Sequence, residues 1–235
     1  ASTGVVKQLV DKGIFELYER EAGAPSKDRL GLEAPELSAA QTIALTEVQA
    51  AFMERDVVLL QGVTSSGKTE VYTTLIDAAI KRGEQVLYLL PEIALTTQII
   101  ARMRERFGED ISVFHSRMAQ YERTALWLRC SQGADPPRII IGARSALFLP
   151  FRRLGLLVVD EEHDSSYKQH DPAPRYNARD MAVVLSGLHG AKTLMGSATP
   201  SMESQHNART GKYGHVRLDV RLPTVVVLEH ADVSH

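Results

Sequence analysis

Cysteine and long hydrophobic runs are the first things this sequence lacks. A single cysteine, Cys130, stands among 235 residues, which excludes a disulfide framework and any cysteine-based zinc site within this chain. We expect Cys130 to be a small, partly buried side chain on a helix. No apolar run approaches the roughly 18 residues that predict a membrane span, and the first residues do not form a signal peptide. These absences lead us to expect a cytoplasmic protein with no membrane partner.

An excess of charge of one sign is also lacking, because 27 basic residues face 29 acidic ones and the formal net charge is −2. Global charge therefore gives no argument for a nucleic-acid partner. Local charge does, since the segment between Pro136 and Val159 carries basic residues and no acidic one. The basic residues of this segment are Arg138, Arg144, Arg152 and Arg153.

What is present begins with a phosphate-binding loop. Residues 62–69 read Gly-Val-Thr-Ser-Ser-Gly-Lys-Thr, between the apolar run Val57–Leu60 and a helical segment that ends near Arg82. Backbone N–H groups at such a turn, together with the helix N-terminus, form a concave pocket for phosphate oxygens. The residues expected to bind the nucleotide here are Gly62, Val63, Thr64, Ser65, Ser66, Gly67, Lys68, Thr69 and Glu70. Lys68 is predicted to reach the β- and γ-phosphates, and Thr69 to ligate Mg²⁺.

A second stretch places carboxylates after a buried strand. Leu156–Val159 is apolar and is followed by Asp160, Glu161, Glu162 and His163. Asp160 is predicted to hold Mg²⁺, and Glu161 to orient or deprotonate the attacking water. Neighbouring carboxylates without a base repel each other unless a cation lies between them, which also favours a metal. His163 has no partner histidine at metal spacing, so the pattern does not favour zinc.

Between residues 42 and 235, short β-branched strands alternate with helices, which predicts an open parallel α/β sheet covered by helices on both faces. The first helix is predicted at Leu45–Met53, with Thr46 as its N-cap. Residues 1–20 are predicted to be a helix, a turn and a strand left from a preceding domain. Residues 21–41, rich in Ala, Pro, Gly and Ser, are predicted to be a linker. Because the chain starts with Ala, we expect a piece of a longer protein.

Two of these stretches together resemble a known superfamily. Asp160–His163 resembles motif II of superfamily 2 helicases, and Gly196–Pro200, which reads Gly-Ser-Ala-Thr-Pro, resembles motif III. Further stretches are similar to one family in it, the bacterial replication-restart helicases. These stretches are Gly62–Tyr72, Pro91–Thr96, Phe114–Ser116, Gly142–Phe148 and Asp160–Gln169. The resemblance runs from about Leu45 to about Gln205.

This resemblance implies the first RecA-like lobe of a P-loop ATPase that uses ATP and Mg²⁺. It implies 3′→5′ DNA helicase activity in replication restart, where primosomes assemble at stalled forks. Implied partners are single-stranded and forked DNA, primosome proteins and single-strand-binding proteins. The second lobe with its arginine finger, and a cysteine-rich zinc insertion, are expected outside this chain. Residues 1–20 then resemble the end of a winged-helix domain.

The resemblance also assigns roles to individual residues. Gln49 resembles the glutamine that reads adenine, and the loop 167–179 resembles an aromatic-rich loop that couples DNA binding to hydrolysis. Ser197 and Thr199 are expected to bond across to the acidic cluster, and His163 to bridge the nucleotide and DNA sites. The expected DNA-binding or coupling residues are Thr96, Ser116, Arg144, Ser145, His163, Tyr167, Lys168, Arg175, Tyr176, Arg179, Ser197 and Thr199.

Some alternatives stay open at this point. Arg144 could be a framework arginine, Gln49 a surface residue, and loop 167–179 an ordinary proline-rich loop. Ser65 stands where many relatives carry glycine, which strains the loop if a positive φ is required there. Rival functions are a duplex translocase or restriction-type motor, a non-hydrolysing scaffold switched by nucleotide, and a small-molecule kinase.

Overall fold

The computed structural model describes residues 36–219, except 65, 95–96 and 133–135. The predicted winged-helix remnant and most of the predicted linker lie outside the described residues. The helices are α1 (Ala39–Glu54), α2 (Lys68–Lys81), α3 (Thr97–Phe107), α4 (Gln120–Gln132), α5 (Ala178–His189) and α6 (Met202–Arg209). The strands are β1 (Val57–Gly62), β2 (Gln85–Leu89), β3 (Ile111–Phe114), β4 (Ile139–Gly142), β5 (Leu154–Val159), β6 (Lys192–Ser197) and β7 (Gly214–Leu218).

The strands form one seven-stranded sheet in the order β3-β4-β2-β5-β6-β1-β7. Every strand pair is parallel. The predicted open parallel α/β sheet is confirmed. Because all strands run the same way, the loops after β1, β5 and β6 emerge at one edge, where such sheets bind ligands.

Side chains alternate between two core layers, as the pleat of a strand requires. In β1, Val58 and Leu60 pack with the layer under α1, α2 and α3, whereas Val57 and Leu59 pack with the layer under α4 and α5. All four are at most 6% exposed. A sheet covered on both faces explains why its strands read as continuous apolar runs.

The prediction for the first helix is wrong at its start. Helix α1 begins at Ala39, and Ser38 caps it by accepting a hydrogen bond from the backbone N–H of Gln41 at 3.3 Å. The Gln41 side chain accepts in return from the N–H of Ser38 at 2.8 Å, which completes a capping box. Thr46 lies inside the helix and donates to the carbonyl of Thr42. The last residues of the predicted linker are therefore helical.

No helix in the described ranges is long and apolar enough to cross a membrane. Cys130 lies on helix α4 as predicted, and it is fully buried rather than partly buried.

Candidate functional site

The phosphate-binding loop joins β1 to α2 as predicted. Gly67 caps α2 with φ of 81°, a left-handed conformation that glycine adopts without a steric cost. Lys68 is 8% exposed, and its Nζ donates to the carbonyl of Gly62 at 2.9 Å. The side chain of Lys68 thus folds back across the phosphate-binding loop. Ser65 lies outside the described residues, so the strain considered for it stays a prediction.

The loop has the properties that a phosphate group requires. The Oγ of Ser66 is buried and, within the described part of the chain, has no hydrogen-bond partner. A Cβ on Gly62 would lie 2.8 Å from that Oγ and 3.1 Å from Cγ of Lys68, so the loop packs too tightly for any larger residue there. An unpaired buried hydroxyl beside a lysine and a helix N-terminus suits an anion, and the residues therefore fit a nucleotide phosphate.

Asp160 directly follows β5 at the same edge. Its Oδ1 accepts from the hydroxyl of Tyr72 at 3.0 Å and its Oδ2 from the hydroxyl of Tyr88 at 3.1 Å. Burial raises the pKa of Asp160 above its ordinary value, while both tyrosines and the charge of Lys68 act in the opposite direction. The carboxylate is thus desolvated but fixed in orientation.

Glu161 is held in an uncommon backbone conformation. Its φ is 46°, the one positive φ at a non-glycine residue in the described ranges, a conformation that persists only when neighbours enforce it. Its N–H donates to Oδ1 of Asp160 at 3.0 Å, and its carbonyl accepts from the N–H of Asp164 at 2.8 Å. Burial, then the charge of Asp160, raises the pKa of Glu161, while Lys68 and His163 lower it. A half-buried carboxylate with a raised pKa is a suitable general base.

The donor set also fits Mg²⁺. Among the described residues no group of three or more His, Cys, Asp or Glu side chains is arranged to hold a metal. Mg²⁺ does not need such a cage, because it keeps several waters and binds through one or two protein oxygens together with substrate phosphates. The hydroxyl of Thr69, in the first turn of α2, and the carboxylate of Asp160 are the protein oxygens for this role.

His163 connects the acidic cluster to the strand end of β6. Its Nδ1 lies 2.8 Å from Oγ of Ser197 and 3.6 Å from Oε2 of Glu161. Ser197 is fully buried and also accepts from the N–H of Thr199 at 3.0 Å. Ser197 therefore bonds to His163, the residue that follows the three carboxylates. Thr199 contributes its backbone N–H, and its side chain is exposed.

The structure does not bring Gln49 to the phosphate-binding loop. Gln49 is exposed on α1, whereas Gln41 is 2% exposed and donates from Nε2 to the carbonyl of Gly67 at 3.2 Å. The two residues are eight positions apart, about 12 Å along a helix. Gln41, which lies before the predicted start of the first helix, is the glutamine that contacts the phosphate-binding loop. The capping-box spacing from Ser38 to Gln41 was the signal that could have identified it.

Tyr167 was predicted to stack on DNA bases, and the structure contradicts this. The side chain is 1% exposed. Its hydroxyl donates to the carbonyl of Asp160 at 2.6 Å, and the carbonyl oxygen of Leu89 lies 3.1 Å from the same hydroxyl oxygen. A ring buried in the core has no face for a base, so Tyr167 supports the strand end of Asp160 instead.

Arg179 was predicted to meet DNA phosphates, yet it is 6% exposed. Its Nη1 donates to Oγ of Ser201 at 2.7 Å and pairs with Glu162 at 3.4 Å, while its Nε donates to Asp180 at 2.8 Å. Because these partners occupy the guanidinium, Arg179 is a buried brace. Glu162, which sequence reasoning gave no role, is 2% exposed and is the centre of this network.

The loop after Tyr167 does present charge at the surface. Lys168 and Asn177 form an antiparallel bridge, and the N–H of Gln169 donates to the carbonyl of Tyr176 at 2.8 Å. Lys168 and Arg175 are exposed. This closed loop, residues 168–177, therefore keeps two of its predicted cations available for phosphates.

Aromatic surface lies beside the same loop. The ring of Tyr176 packs edge to face against Phe148 with centroids 5.3 Å apart, and Phe148 is 58% exposed. Exposed aromatic rings next to cations are typical of single-strand binding. Phe148 was not predicted as a site residue. It lies within an apolar stretch of sequence, and such a stretch does not indicate which of its side chains is exposed.

Arg144 supports the base of this loop. Its Nη1 donates to the carbonyls of Ser166 at 3.3 Å and Lys168 at 3.1 Å. The side chain is partly exposed, as is that of Ser145, and a role in DNA contact stays a prediction for both. The framework alternative for Arg144 has direct geometric support from these two bonds.

The arginine-rich segment 136–159 does not form one basic surface. Arg138 precedes β4 and pairs with Asp110 at 3.6 Å. The backbone N–H groups of Arg152 and Arg153 donate to Oε1 of Gln85, which starts β2. Since the strands are parallel, these arginines lie at the edge opposite the phosphate-binding loop. The inference from local charge was wrong, because Arg144 follows a strand whereas the other arginines of the segment precede strands, so they lie at opposite edges of the sheet.

Two more predicted residues, Ser116 and Glu70, contact charged side chains of neighbouring segments. Ser116 is exposed after β3, and its hydroxyl donates to Glu92. Glu70, in the first turn of α2, forms an ion pair with Arg102 of α3. Thr96 lies outside the described residues. Their roles toward DNA and nucleotide stay predictions.

Comparison with known proteins identifies the class. Residues 38–208 match the DEAD/DEAH box helicase family. The matched range includes the phosphate-binding loop, Asp160–His163 and Ser197. The chain belongs to this family.

Within that class, the sequence is similar to one protein from several bacteria. It is 43% identical to replication restart protein PriA of Haemophilus influenzae, over 97% of this chain and 32% of that protein. It is 36% identical to PriA of Bacillus subtilis, over 94% of this chain and 28% of that protein. The chain thus spans about a third or less of the length of these relatives.

Solved structures confirm the RecA-like fold. RecG bound to a three-way DNA junction superimposes with a TM-score of 0.57 at 21% identity, covering 94% of this chain and 26% of RecG. The helicase MrfA bound to DNA gives a TM-score of 0.54 at 20% identity, covering 79% of this chain and 27% of MrfA.

Proposed function

We propose that this chain is the ATP-binding lobe of an ATP-dependent 3′→5′ DNA helicase that acts in replication restart. One observation carries the proposal. The phosphate-binding loop and the Asp160–Glu161 pair lie at one sheet edge. Beside this pair, His163 contacts Ser197 of β6, and Tyr167, which bonds to the carbonyl of Asp160, directly precedes the exposed loop 168–177. A site for hydrolysis and a surface for a nucleic acid are thus joined by side chains in contact.

The residues of the hydrolysis site have separate roles. Lys68 and the N–H groups at the start of α2 bind phosphate oxygens. Thr69 and Asp160 hold Mg²⁺, which when bound neutralises charge on the phosphates. Glu161, with its raised pKa, positions and deprotonates water. Gln41, whose Nε2 donates to the carbonyl of Gly67, supports the phosphate-binding loop from α1.

The DNA-facing side is formed by loop 168–177 and Phe148. Lys168 and Arg175 provide cations for the backbone, and Phe148 with Tyr176 provides aromatic faces for unstacked bases. Ser116, Ser145 and Arg144 extend this surface along the same sheet edge. The loop ends at Asn177, whose Oδ1 accepts from the N–H of Arg179 at 3.0 Å, and the Arg179 side chain pairs with Glu162 at 3.4 Å. Movement of the loop is proposed to reach the acidic cluster through these two contacts.

Other parts of the activity belong to the rest of the protein. The arginine of a second lobe is worth about 10³–10⁵ in rate in related phosphoryl-transfer enzymes, so this chain alone should hydrolyse ATP slowly. The zinc site, the primosome partners and the single-strand-binding protein are proposed by similarity to PriA. An enzyme acting on bacterial chromosomal DNA is proposed to work in the cytoplasm.

Unwinding of short duplexes by the full-length protein tests the proposal. With ATP and Mg²⁺, a duplex that carries a 3′ single-stranded tail or a fork should be separated, and a duplex with only a 5′ tail should not. The Glu161→Gln variant is the matched control, since it keeps the shape of the side chain and removes the base. Equal unwinding of both tails would contradict the polarity.

Third-strand displacement and binding to forked DNA, measured with the same two proteins, separate the rival functions. A duplex translocase would displace a third strand from blunt DNA and would not need a tail. A non-hydrolysing scaffold would bind forked DNA equally well as wild type and as Glu161→Gln, and would separate no strands with either.

A further inference from the structure

Two buried tyrosines contact the carboxylate of Asp160 and have no role so far. Tyr72 and Tyr88 are both fully buried. Their hydroxyls donate to different oxygens of the carboxylate, Tyr72 to Oδ1 at 3.0 Å and Tyr88 to Oδ2 at 3.1 Å. Oδ1 also accepts from the N–H of Glu161 at 3.0 Å. The plane of the carboxylate is therefore fixed, and Oδ2, which accepts one phenol, keeps capacity for another partner.

The two tyrosines come from elements that meet only in the folded chain. Tyr72 lies on α2, one helical turn after Lys68, and Tyr88 lies in β2, the strand paired with β5. Their rings pack edge to face, with centroids 6.0 Å apart and planes at 71°. The arrangement therefore ties the helix of the phosphate-binding loop to the end of the strand that carries Asp160.

Gly196 shows that the position of Tyr72 is built into the site. A Cβ at residue 196 would lie 1.6 Å from the hydroxyl oxygen of Tyr72 and 2.7 Å from its Cζ. Any side chain there would push the phenol off Asp160. The glycine that opens the sequence Gly-Ser-Ala-Thr-Pro thus leaves the space in which Tyr72 reaches the carboxylate.

An apolar ring would fill the same volume without the hydroxyl. A buried carboxylate needs hydrogen bonds, because it loses water that would otherwise stabilise its charge. Groups that orient a metal ligand from behind typically affect metal affinity by about 10- to 100-fold. Together with the N–H of Glu161, the two phenols set the direction in which the remaining lone pair of Oδ2 points.

We propose that Tyr72 and Tyr88 are positioning residues that hold the Asp160 carboxylate in the orientation that binds Mg²⁺ at the nucleotide site. The proposal rests on the proposed ATPase function. It assigns the tyrosines to the metal and not to the nucleotide, so loss of the hydroxyls should weaken metal binding and leave the grip of the loop on phosphate unchanged.

Equilibrium binding with the full-length protein tests this. Mn²⁺ is titrated in the presence of saturating ADP and followed by electron paramagnetic resonance, and ADP affinity is measured separately in EDTA by fluorescence. The variants are Tyr72→Phe, Tyr88→Phe and both together. Tyr213→Phe is the matched control, because it is also buried but its hydroxyl is engaged by Asn207 and not by Asp160.

The double variant should raise the half-saturating Mn²⁺ concentration roughly 10- to 100-fold, each single variant should raise it less, and Tyr213→Phe should leave it unchanged. ADP affinity without metal should stay within about twofold of wild type. Unchanged Mn²⁺ binding would overturn the proposal. An equal loss of metal-free ADP affinity would also overturn it, since the tyrosines would then support the loop as a whole. A wild-type protein that binds Mn²⁺ and ADP but does not unwind DNA would refute the proposed function alone.

Discussion

Replacing Arg179 by methionine distinguishes a buried brace from a DNA contact. The side chain of Arg179 is 7% exposed and that of Glu162 is 0% exposed. The change to methionine keeps most of the volume and removes the guanidinium. It leaves Glu162 as a buried carboxylate without its cation, although Glu162 still accepts from the N–H of Ser201 at 2.7 Å and the hydroxyl of Ser204 at 2.8 Å.

Breaking a buried ion pair by removing one partner costs about 3–5 kcal/mol. The Arg179–Glu162 distance of 3.4 Å is long, and the serine bonds remain, so we expect the lower end, about 3 kcal/mol of unfolding free energy. Adding Glu162→Gln removes the unpaired charge. The double variant should therefore be more stable than Arg179→Met alone, with a total loss of about 1–2 kcal/mol.

Urea denaturation of the 235-residue chain, followed by circular dichroism, measures these differences. Arg175→Met is the matched control, because Arg175 is an exposed arginine of the neighbouring loop, and its change should stay within about 0.5 kcal/mol. Arg179→Met within the same limit would refute the buried brace. The alternative is that Arg179 contacts a DNA phosphate. A fully stable Arg179→Met variant in which the slope of log binding constant against log salt concentration falls by about one unit would support that alternative.

Three further predictions concern single residues. Gln41→Ala should weaken ADP binding about fivefold, which corresponds to a net hydrogen bond of about 1 kcal/mol, while Gln49→Ala should leave ADP binding unchanged. Fluorescence anisotropy with labelled ADP measures both affinities. A larger loss of affinity in Gln49→Ala than in Gln41→Ala would contradict the placement of Gln41. Gly196→Ala should lower the unfolding free energy by about 1–3 kcal/mol through overpacking against Tyr72, and a thermal midpoint equal to wild type would contradict the contact. Cys130 should resist thiol reagents at pH 8 in the native chain and react in urea. Burial raises the pKa of Cys130 to about 11, so roughly one thousandth of the side chain is thiolate at pH 8. Rapid labelling of the native chain would contradict this prediction, because it would show that Cys130 is accessible.

The parts of the candidate site whose positions the sequence predicted correctly depend on local spacing. The phosphate-binding loop is a continuous stretch in which backbone and side chains of neighbouring residues form the pocket, so Lys68 and the start of α2 follow directly. Asp160 was predicted because a buried strand has to end at the ligand-binding edge of a parallel sheet. The alternation of strands and helices predicted the sheet, but not the order β3-β4-β2-β5-β6-β1-β7.

The parts that were missed depend on contacts between distant segments. Tyr72 and Tyr88 read as core residues, and only the meeting of α2, β2 and β5 gives their hydroxyls a shared partner. Tyr167 and Arg179 have the residue types of a DNA-binding loop, yet the direction of each side chain is set by the sheet below it. Gln41 was missed for a local reason, because the first helix was predicted at Leu45–Met53 with Thr46 as its N-cap, and the capping box from Ser38 to Gln41 lies before that range.

ATP turnover by the full-length protein, with and without single-stranded DNA, is the most direct test that this lobe belongs to a DNA-driven motor. Single-stranded DNA should raise the turnover of the wild-type protein, and Glu161→Gln should show neither basal nor stimulated turnover while it still binds ADP. A wild-type rate that DNA does not change, or turnover that persists in Glu161→Gln, would contradict the account.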